Sequence, residues 1–483
     1  MNAKLSHFSE LSNFLSEKST VCNDFLSLLD KFKLGQSLRK LKMEKEKGTS
    51  TLDLLKYLLI FRLFGQNIHQ SLHHQFAPFI DGGKNQFYRF LTRPKMDWRR
   101  LLYRTAKSFF LIVKENSTDT SQEKYFILDD TTIEKSGICM EGISRVFDHV
   151  AQKSVLGYKL LLLAITDTKS TLPLDFSLHA EEGKKKNFGL TKKQLKDRFT
   201  KERVKDDCMK KRADELLKYK PVVAIEMLRR AVKYGCIAKY LLVDKWFFGE
   251  NFIKEVRSIK DGAIHIITLL RNKSTGFTVD GKRISVNVLI QKQERIGFKT
   301  CRQYKSIFAR IKAEYKGIPV QLFIIRYGRS SKYEVMVTTD MKMSFKDTFE
   351  RYQIRWNIEV LFYECKQHLE LGKCQSTDLN AQIADCSLAF IGYTVISLHK
   401  RFSDYETFGE LFRDIKEGLL ELTFIERLLP IIAELLRRLL ASLIPRWMIS
   451  LREPWQTRKQ DMTWNASSDL LKISKNDLGV NAF

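Results

Sequence analysis

The sequence predicts an α/β fold in which a mixed-sheet core is interrupted by a β-rich insertion and flanked by helical regions. Three observations predict it. Two short apolar runs end in acid, "YFILDD" (125–130) and "KYLLVDKWF" (239–247), as strands do at the rim of an open sheet. Several further apolar runs crowd residues 262–340, separated by Gly, Asn, Asp and Lys. Helical periodicity occupies the stretches before about 115 and after 345.

Along the chain, "TLDLLKYLLIFRLFGQNIHQSLHHQF" places apolar residues at helical spacing, with Ser50 or Thr51 as N-cap. In "KNQFYRFLTRPKMDWRRLLYRTAKSFF" (84–110), cations including Arg89, Arg93, Arg99 and Arg100 alternate with aromatics. Such a run suits nucleic acid, because rings pack on bases or riboses while cations meet phosphates. "YKLLLLAIT" and "PLDFSLH" follow the first acid-ended strand as further strands. The tract 181–220 carries fifteen Lys/Arg against eight Asp/Glu and reads as solvated helix or loop. A helical "PVVAIEMLRRAVKYG" then leads into the second acid-ended strand. In the insertion, "AIHIITLL", "ISVNVLI", "FARIKAEY", "PVQLFIIRY" and "YEVMVTT" read as strands, and the tail from about 456 is polar and loose. The expected organisation is a helical DNA-binding region over 1–118, a core built from 119–261 and 341–400, the insertion at 262–340, and a C-terminal helical region at 401–483 suited to dimerisation.

The charge balance narrows the partner. With 83 Lys/Arg, 56 Asp/Glu and a net charge of +27, the chain repels itself unless a polyanion binds. A membrane is not expected, since the most apolar runs, 54–65 and 158–167, fall short of the roughly 20 residues a span requires. "MNAKLSHFSELSNF" has no continuous apolar core of a signal peptide. Eight cysteines without a CxxC pair point to a reduced, cytoplasmic setting, and the Cys365, His368, Cys374 group lacks the second ligand pair of a zinc site.

The candidate chemistry lies in carboxylates. An acid at the end of an apolar strand is costly to bury unless paired or metal-bound, which singles out Asp129, Asp130 and Asp244. In "RYQIRWNIEVLFYECKQ" (351–367), a helix of about 100° per residue gathers Tyr352, Arg355, Glu359 and Lys366 into one stripe about 60° wide. Ile354, Ile358, Leu361, Phe362 and Cys365 form a separate apolar face. One glutamate between cations and a phenol suits a phosphodiester, the acid holding a metal while the others hold backbone oxygens. An ordinary amphipathic helix gives the same geometry.

The spacing Tyr352-x2-Arg355-x3-Glu359-x6-Lys366 matches the YREK signature and resembles the insertion-sequence-4 group of bacterial DDE transposases. Asp244 after "YLLV" looks like that group's second acid, and "ILDDTT" like its first-strand motif. The resemblance covers roughly 85–400. It implies an RNase H-like mixed-sheet catalytic core in a cytoplasmic, nucleoid-associated protein. It further implies binding of double-stranded DNA at terminal inverted repeats, and cut-and-paste strand cleavage and transfer by a homodimer. Two Mg²⁺ ions, or Mn²⁺ in their place, would be held by Asp129, Asp244 and Glu359, while Tyr352, Arg355 and Lys366 grip terminal phosphates. The acid two residues before Thr selects Asp129 and an acid directly before Thr-Thr selects Asp130; Asp129 is favoured, with Asp130 supporting it. The group's base-stacking Trp on the insertion has no counterpart at 262–340, which leaves Phe277, Phe298, Tyr304 or Phe308, or else Trp246 or Trp356 from the core. The alternatives are another two-metal RNase H-like nuclease and a non-catalytic DNA-binding protein derived from a transposase.

Overall fold

A computed structural model describes residues 28–65, 67–74, 83–117, 123–205, 207–328 and 330–417. They lie within one unit, Met1–Leu419, and the expected loose tail, with most of the expected dimerisation region, falls outside the described residues.

β1 (Tyr125–Glu134), β3 (Lys153–Thr166) and β4 (Thr171–His179) form an antiparallel meander, and the short β2 (Ser144–Asp148) pairs with the start of β3. On the other edge of β1, β5 (Tyr240–Val243) and then β6 (His265–Leu269) run parallel to it. Consecutive residues of the central strands are fully buried, Phe126 to Leu128 and Leu160 to Ala164 among them. Side chains alternate between faces, so both faces of this part of the sheet are covered, and the runs read as apolar without alternation for that reason. The covering elements include the helices Trp98–Asn116, Lys220–Lys233 and Leu379–Arg401. Ser50 is the N-cap of the first long helix, Thr51–Leu63, its Oγ accepting from Asp53 N at 3.0 Å.

The insertion extends the same sheet. β12 (Tyr333–Thr338) pairs antiparallel with β6, and β11 (Ile318–Tyr327), β10 (Ser306–Tyr315) and the hairpin β7 (Gly276–Val279) and β8 (Lys282–Ser285) continue outward, with β9 (Lys299–Cys301) on β10. "AIHIITLL", expected within the insertion, therefore supplies β6, the neighbour of β5. "ISVNVLI" is corrected as well: it is strand only to Ser285, and Val286–Ile296 is a helix. Ser285 caps that helix, and Val286, Leu289 and Ile290 bury the i, i+3, i+4 face that a strand reading overlooked.

Leu379–Arg401 is long and apolar enough to cross a membrane, a length the sequence reading did not anticipate. It is instead a core helix, with 94% of its most apolar window buried. The N-terminal helices Thr51–Leu63, Asn85–Thr92 and Trp98–Asn116 pack against it.

That packing changes the reading of the basic run. Arg99, expected to meet DNA, is buried, donating to Asp175 Oδ1 at 2.8 Å and to Glu215 Oε2 at 2.6 Å. Arg230 and Arg212 also meet Asp175, a fully buried acid in the middle of β4. Burial pushes the Asp175 carboxyl up, but these three guanidiniums outweigh it and hold it down at about 2. Arg93 donates to the carbonyls of Met43 and Glu44 at 3.0 and 2.9 Å. Arg89 and Arg100 remain exposed. The tract 181–220 is not simply solvated either: Arg203 pairs with buried Glu141, and Arg212 lies over the Phe176 ring at 4.4 Å.

Candidate active site

β1 is ten residues long, but β5 stops after four, with Val243 opposite Leu128. Asp129 and Asp244 are the next residues on these two parallel strands, which run about 4.8 Å apart. Asp244 itself ends β5. Its Oδ2 accepts from Trp246 N at 3.2 Å and caps the 3₁₀ turn Lys245–Phe247, which carries the chain away from the sheet.

Along β1 the side chains separate by parity. Asp129 and Thr131 face the segment 351–367: Arg355 Nη1 donates to Asp129 Oδ2 at 2.6 Å, and Lys366 Nζ donates to Thr131 Oγ1 at 2.7 Å. Asp130 and Thr132 face the opposite side. There Lys220 Nζ donates to Asp130 Oδ2 at 2.5 Å, while Lys159 Nζ stands 3.7 Å from Asp130 Oδ1 and donates to Thr132 Oγ1 at 3.0 Å. The two adjacent aspartates thus occupy different environments, as the pleat requires.

The segment expected to be one helix is three pieces: Phe345–Gln353, a 3₁₀ turn at Ile354–Trp356, and Asn357–His368. The tighter turn, three residues per revolution, rotates Arg355 relative to a uniform wheel. Arg355 nevertheless reaches Glu359 Oε1 through Nη2 at 2.7 Å, so one guanidinium bridges Asp129 and Glu359. Its centre is 5.8 Å from the Tyr352 ring. Ile358, Leu361, Phe362 and Cys365 are buried as the apolar face predicts.

Electrostatics set Asp129 apart. Burial pushes its carboxyl up to about 7, and the charges of Asp130 and Asp244 push the same way, opposed by Arg355 and by the Asp130 N–H. Burial also raises the Tyr352 phenol, helped by Asp244 and Asp129, and burial lowers the Lys366 ammonium. Asp129, Asp244, Tyr352, Arg355, Glu359 and Lys366 therefore gather where β5 ends beside β1, and Arg89, Arg93, Arg99 and Arg100 are not part of this group. Among the described residues no three His, Cys, Asp or Glu side chains converge closely enough to hold a metal. The reason is local: the Arg355 guanidinium stands between Asp129 and Glu359. The donor chemistry nonetheless fits a hard divalent cation, because Asp129, Asp244 and Glu359 supply three carboxylates and the Arg355 guanidinium pairs with only two of them.

The four insertion aromatics are committed to packing. Phe277 is buried, Phe298 stacks on Tyr333, Phe308 stacks on Phe345 at 4.1 Å, and the Tyr304 hydroxyl donates to Glu350. Trp246 and Trp356 are exposed, each beside a residue of the site. Sequence reasoning missed Lys159 and Lys220, because no local pattern connects them to Asp130.

Residues 75–285 match the family model described as a DDE superfamily endonuclease, and residues 220–395 match that described as a Transposase DDE domain. Both matches support a DDE transposase family. The first spans Asp129 and Asp244 and the second spans Asp244 and Glu359, so the matched stretches contain all three acids. Domains of this kind generally use divalent metal ions. No curated protein matches the chain.

Proposed function

We propose that this chain is the transposase of an insertion sequence, binding the terminal inverted repeats of its element and cutting and rejoining DNA strands there. The observation that carries the reading is the meeting of Asp129, at the point where β5 ends beside β1, with Arg355 and Glu359 of the YREK segment. One guanidinium, 226 residues from Asp129 in sequence, links this first-strand acid to the helical acid Glu359, and Asp244 follows the strand that pairs with β1. The strand order, an antiparallel meander followed by two parallel strands, supports an RNase H-like core.

In this reading Asp129, Asp244 and Glu359 would hold two Mg²⁺, whose chemistry would be to acidify a water or 3′-OH and to offset charge on the leaving oxygen. The chain's own groups do the rest. Arg355, which bridges Asp129 and Glu359, would hold a phosphate oxygen beside them, since a guanidinium suits phosphate as well as carboxylate. Lys366, close to Thr131, and Tyr352 bind neighbouring phosphate oxygens and hold the scissile bond in place. Asp130, paired with Lys220, supports the fold around the middle of β1 and holds no metal. Exposed Arg89 and Arg100 contribute to binding of the duplex, and two copies of the chain bridge two ends.

The test is a cleavage assay in Mg²⁺ on a duplex carrying the inverted repeats that flank the gene. Asp244→Ala binds the duplex and does not cut it. Asp129→Asn loses cleavage about a thousandfold or more, and Asp130→Asn retains most of it. Normal cleavage by Asp129→Asn with a dead Asp130→Asn would reverse the roles of the two acids, and cleavage by Asp244→Ala would remove the reading.

A further inference from the structure

Lys220 touches both β1, where that strand carries its acids, and the turn that follows Asp244. Its Nζ donates to Asp130, the residue after Asp129, at 2.5 Å, and lies 4.7 Å from the centre of the Trp246 ring, two residues after Asp244. Trp246 in turn donates its backbone N–H to Asp244 Oδ2. The side chain is mostly shielded from water, so these contacts are made in a medium that strengthens them.

The position is an unusual one for a cation. Lys220 opens the helix Lys220–Lys233, directly before Pro221, where the helix dipole presents positive charge and disfavours an ammonium. Asp130 offsets that cost. Lys159 does not duplicate the contact, because it stands 3.7 Å from Asp130 and gives its shorter hydrogen bond to Thr132. Tyr219, the residue before, lies against the same indole at 6.1 Å between ring centres, so the helix start and the turn after β5 are packed together.

We infer that Lys220 is a positioning residue for the acids of the site. Its ammonium anchors Asp130 on the side of β1 to which the pleat sends it and ties that part of β1 to the turn after Asp244, so that it sets the separation of Asp129 and Asp244. Two carboxylates on adjacent strands repel each other, and a cation behind them that contacts both β1 and the turn after β5 holds them at a separation suited to a shared ion. The inference rests on the reading of these acids as metal ligands.

The experiment measures Mn²⁺ binding by the full chain, from the electron paramagnetic resonance signal of the free aqua ion, together with the Mg²⁺ dependence of cleavage. Lys220→Met keeps the length of the side chain and removes its charge. It weakens Mn²⁺ binding about tenfold and raises the half-saturating Mg²⁺ concentration by a similar factor, as loss of groups supporting metal ligands does. Lys220→Arg, which keeps the charge, recovers most of the affinity. Trp246→Leu removes the ring contact and weakens binding in the same direction, and it serves as the test should Lys220→Met fail to fold. A lysine that merely stabilised the fold would lower Tm and leave Mn²⁺ affinity within about twofold of wild type in Lys220→Met or in folded Trp246→Leu. That result overturns the inference. Asp129→Asn is the separate control: if it binds Mn²⁺ as wild type does, the reading of the acids as ligands fails, whatever the Lys220 variants do.

Discussion

Two clusters in this protein join carboxylates through guanidinium groups, and they differ in balance and in access to solvent. Around Asp175, three arginines (Arg99, Arg212 and Arg230) meet two acids, Asp175 and Glu215, with the acid side chains 0% and 2% exposed. At the end of β5, one arginine, Arg355, serves Asp129 and Glu359, with Asp244 alongside, and the acid side chains of the two pairs are 19% and 35% exposed. The sealed cluster pairs both of its acids and keeps one guanidinium in excess. The open one carries surplus negative charge where water and ligands arrive, and its central acid is raised to about 7 where Asp175 is held at about 2. Similar pairs therefore serve opposite ends: a closed, cation-rich cluster joins elements together, whereas an open, acid-rich one is prepared for a cation.

The contrast can be broken most sharply at Glu359. Glu359→Gln lowers Mg²⁺-dependent cleavage about a thousandfold or more. Chemical denaturation of the same variant shifts unfolding free energy by less than about 0.5 kcal/mol, because the side chain is partly exposed. Asp175→Asn does the reverse. Removing one charge from a sealed cluster leaves guanidiniums buried without compensation, and urea titration registers a loss of about 3–5 kcal/mol. A loss below about 1 kcal/mol would show that the cluster adds little to the fold.

A third test uses pH. Burial, with Lys220 adding to it, depresses His179 from 6.5 to about 4 in the fold. The unfolded chain thus binds more protons than the folded one between those values. Stability rises with pH through that window, is fully present above 6.5, and changes by roughly 3 kcal/mol across it. Replacement by Gln removes this component from the pH profile of unfolding, and an unaltered profile would assign the dependence to other groups. The smallest effect concerns the exposed cations. Arg89→Ala and Arg100→Ala each reduce the slope of log affinity against log salt by about one, whereas Arg93→Ala, whose side chain is held by two carbonyls, leaves the slope unchanged. Equal slopes for all three in a gel-shift titration would remove the distinction.

Much of the site was legible in the sequence. An acid closing an apolar run marked the end of β5, where Asp244 follows Val243, but β1 does not end at its acids: it runs on to Glu134, and Asp129 and Asp130 sit in its middle beside the point where β5 stops. The spacing within 351–367 put Tyr352, Arg355, Glu359 and Lys366 on the side facing β1, even though the helix is interrupted by a 3₁₀ turn. Residues 286–290 were misread because Val and Ile suit strand and helix alike over a short window, and the cap at Ser285 decides between them. The basic run was half misread. Composition alone cannot separate a cation meant for solvent from one meant for a buried acid 76 residues away, as Arg99 is for Asp175.

The sequence by itself determined the charge, the alternation that sends Asp129 and Asp130 to opposite faces, and the helical stripe opposite β1. These are properties of chain geometry within a few residues. Only the tertiary structure decided which side of β1 receives which partner: Arg355 on Asp129, from 226 residues away, and Lys220 on Asp130, from 90. It also decided that Arg99 is sealed while Arg100, its neighbour, is not. A side chain's role as a partner follows from the environment its backbone delivers it to, and that environment is set by packing between distant segments that no local pattern specifies.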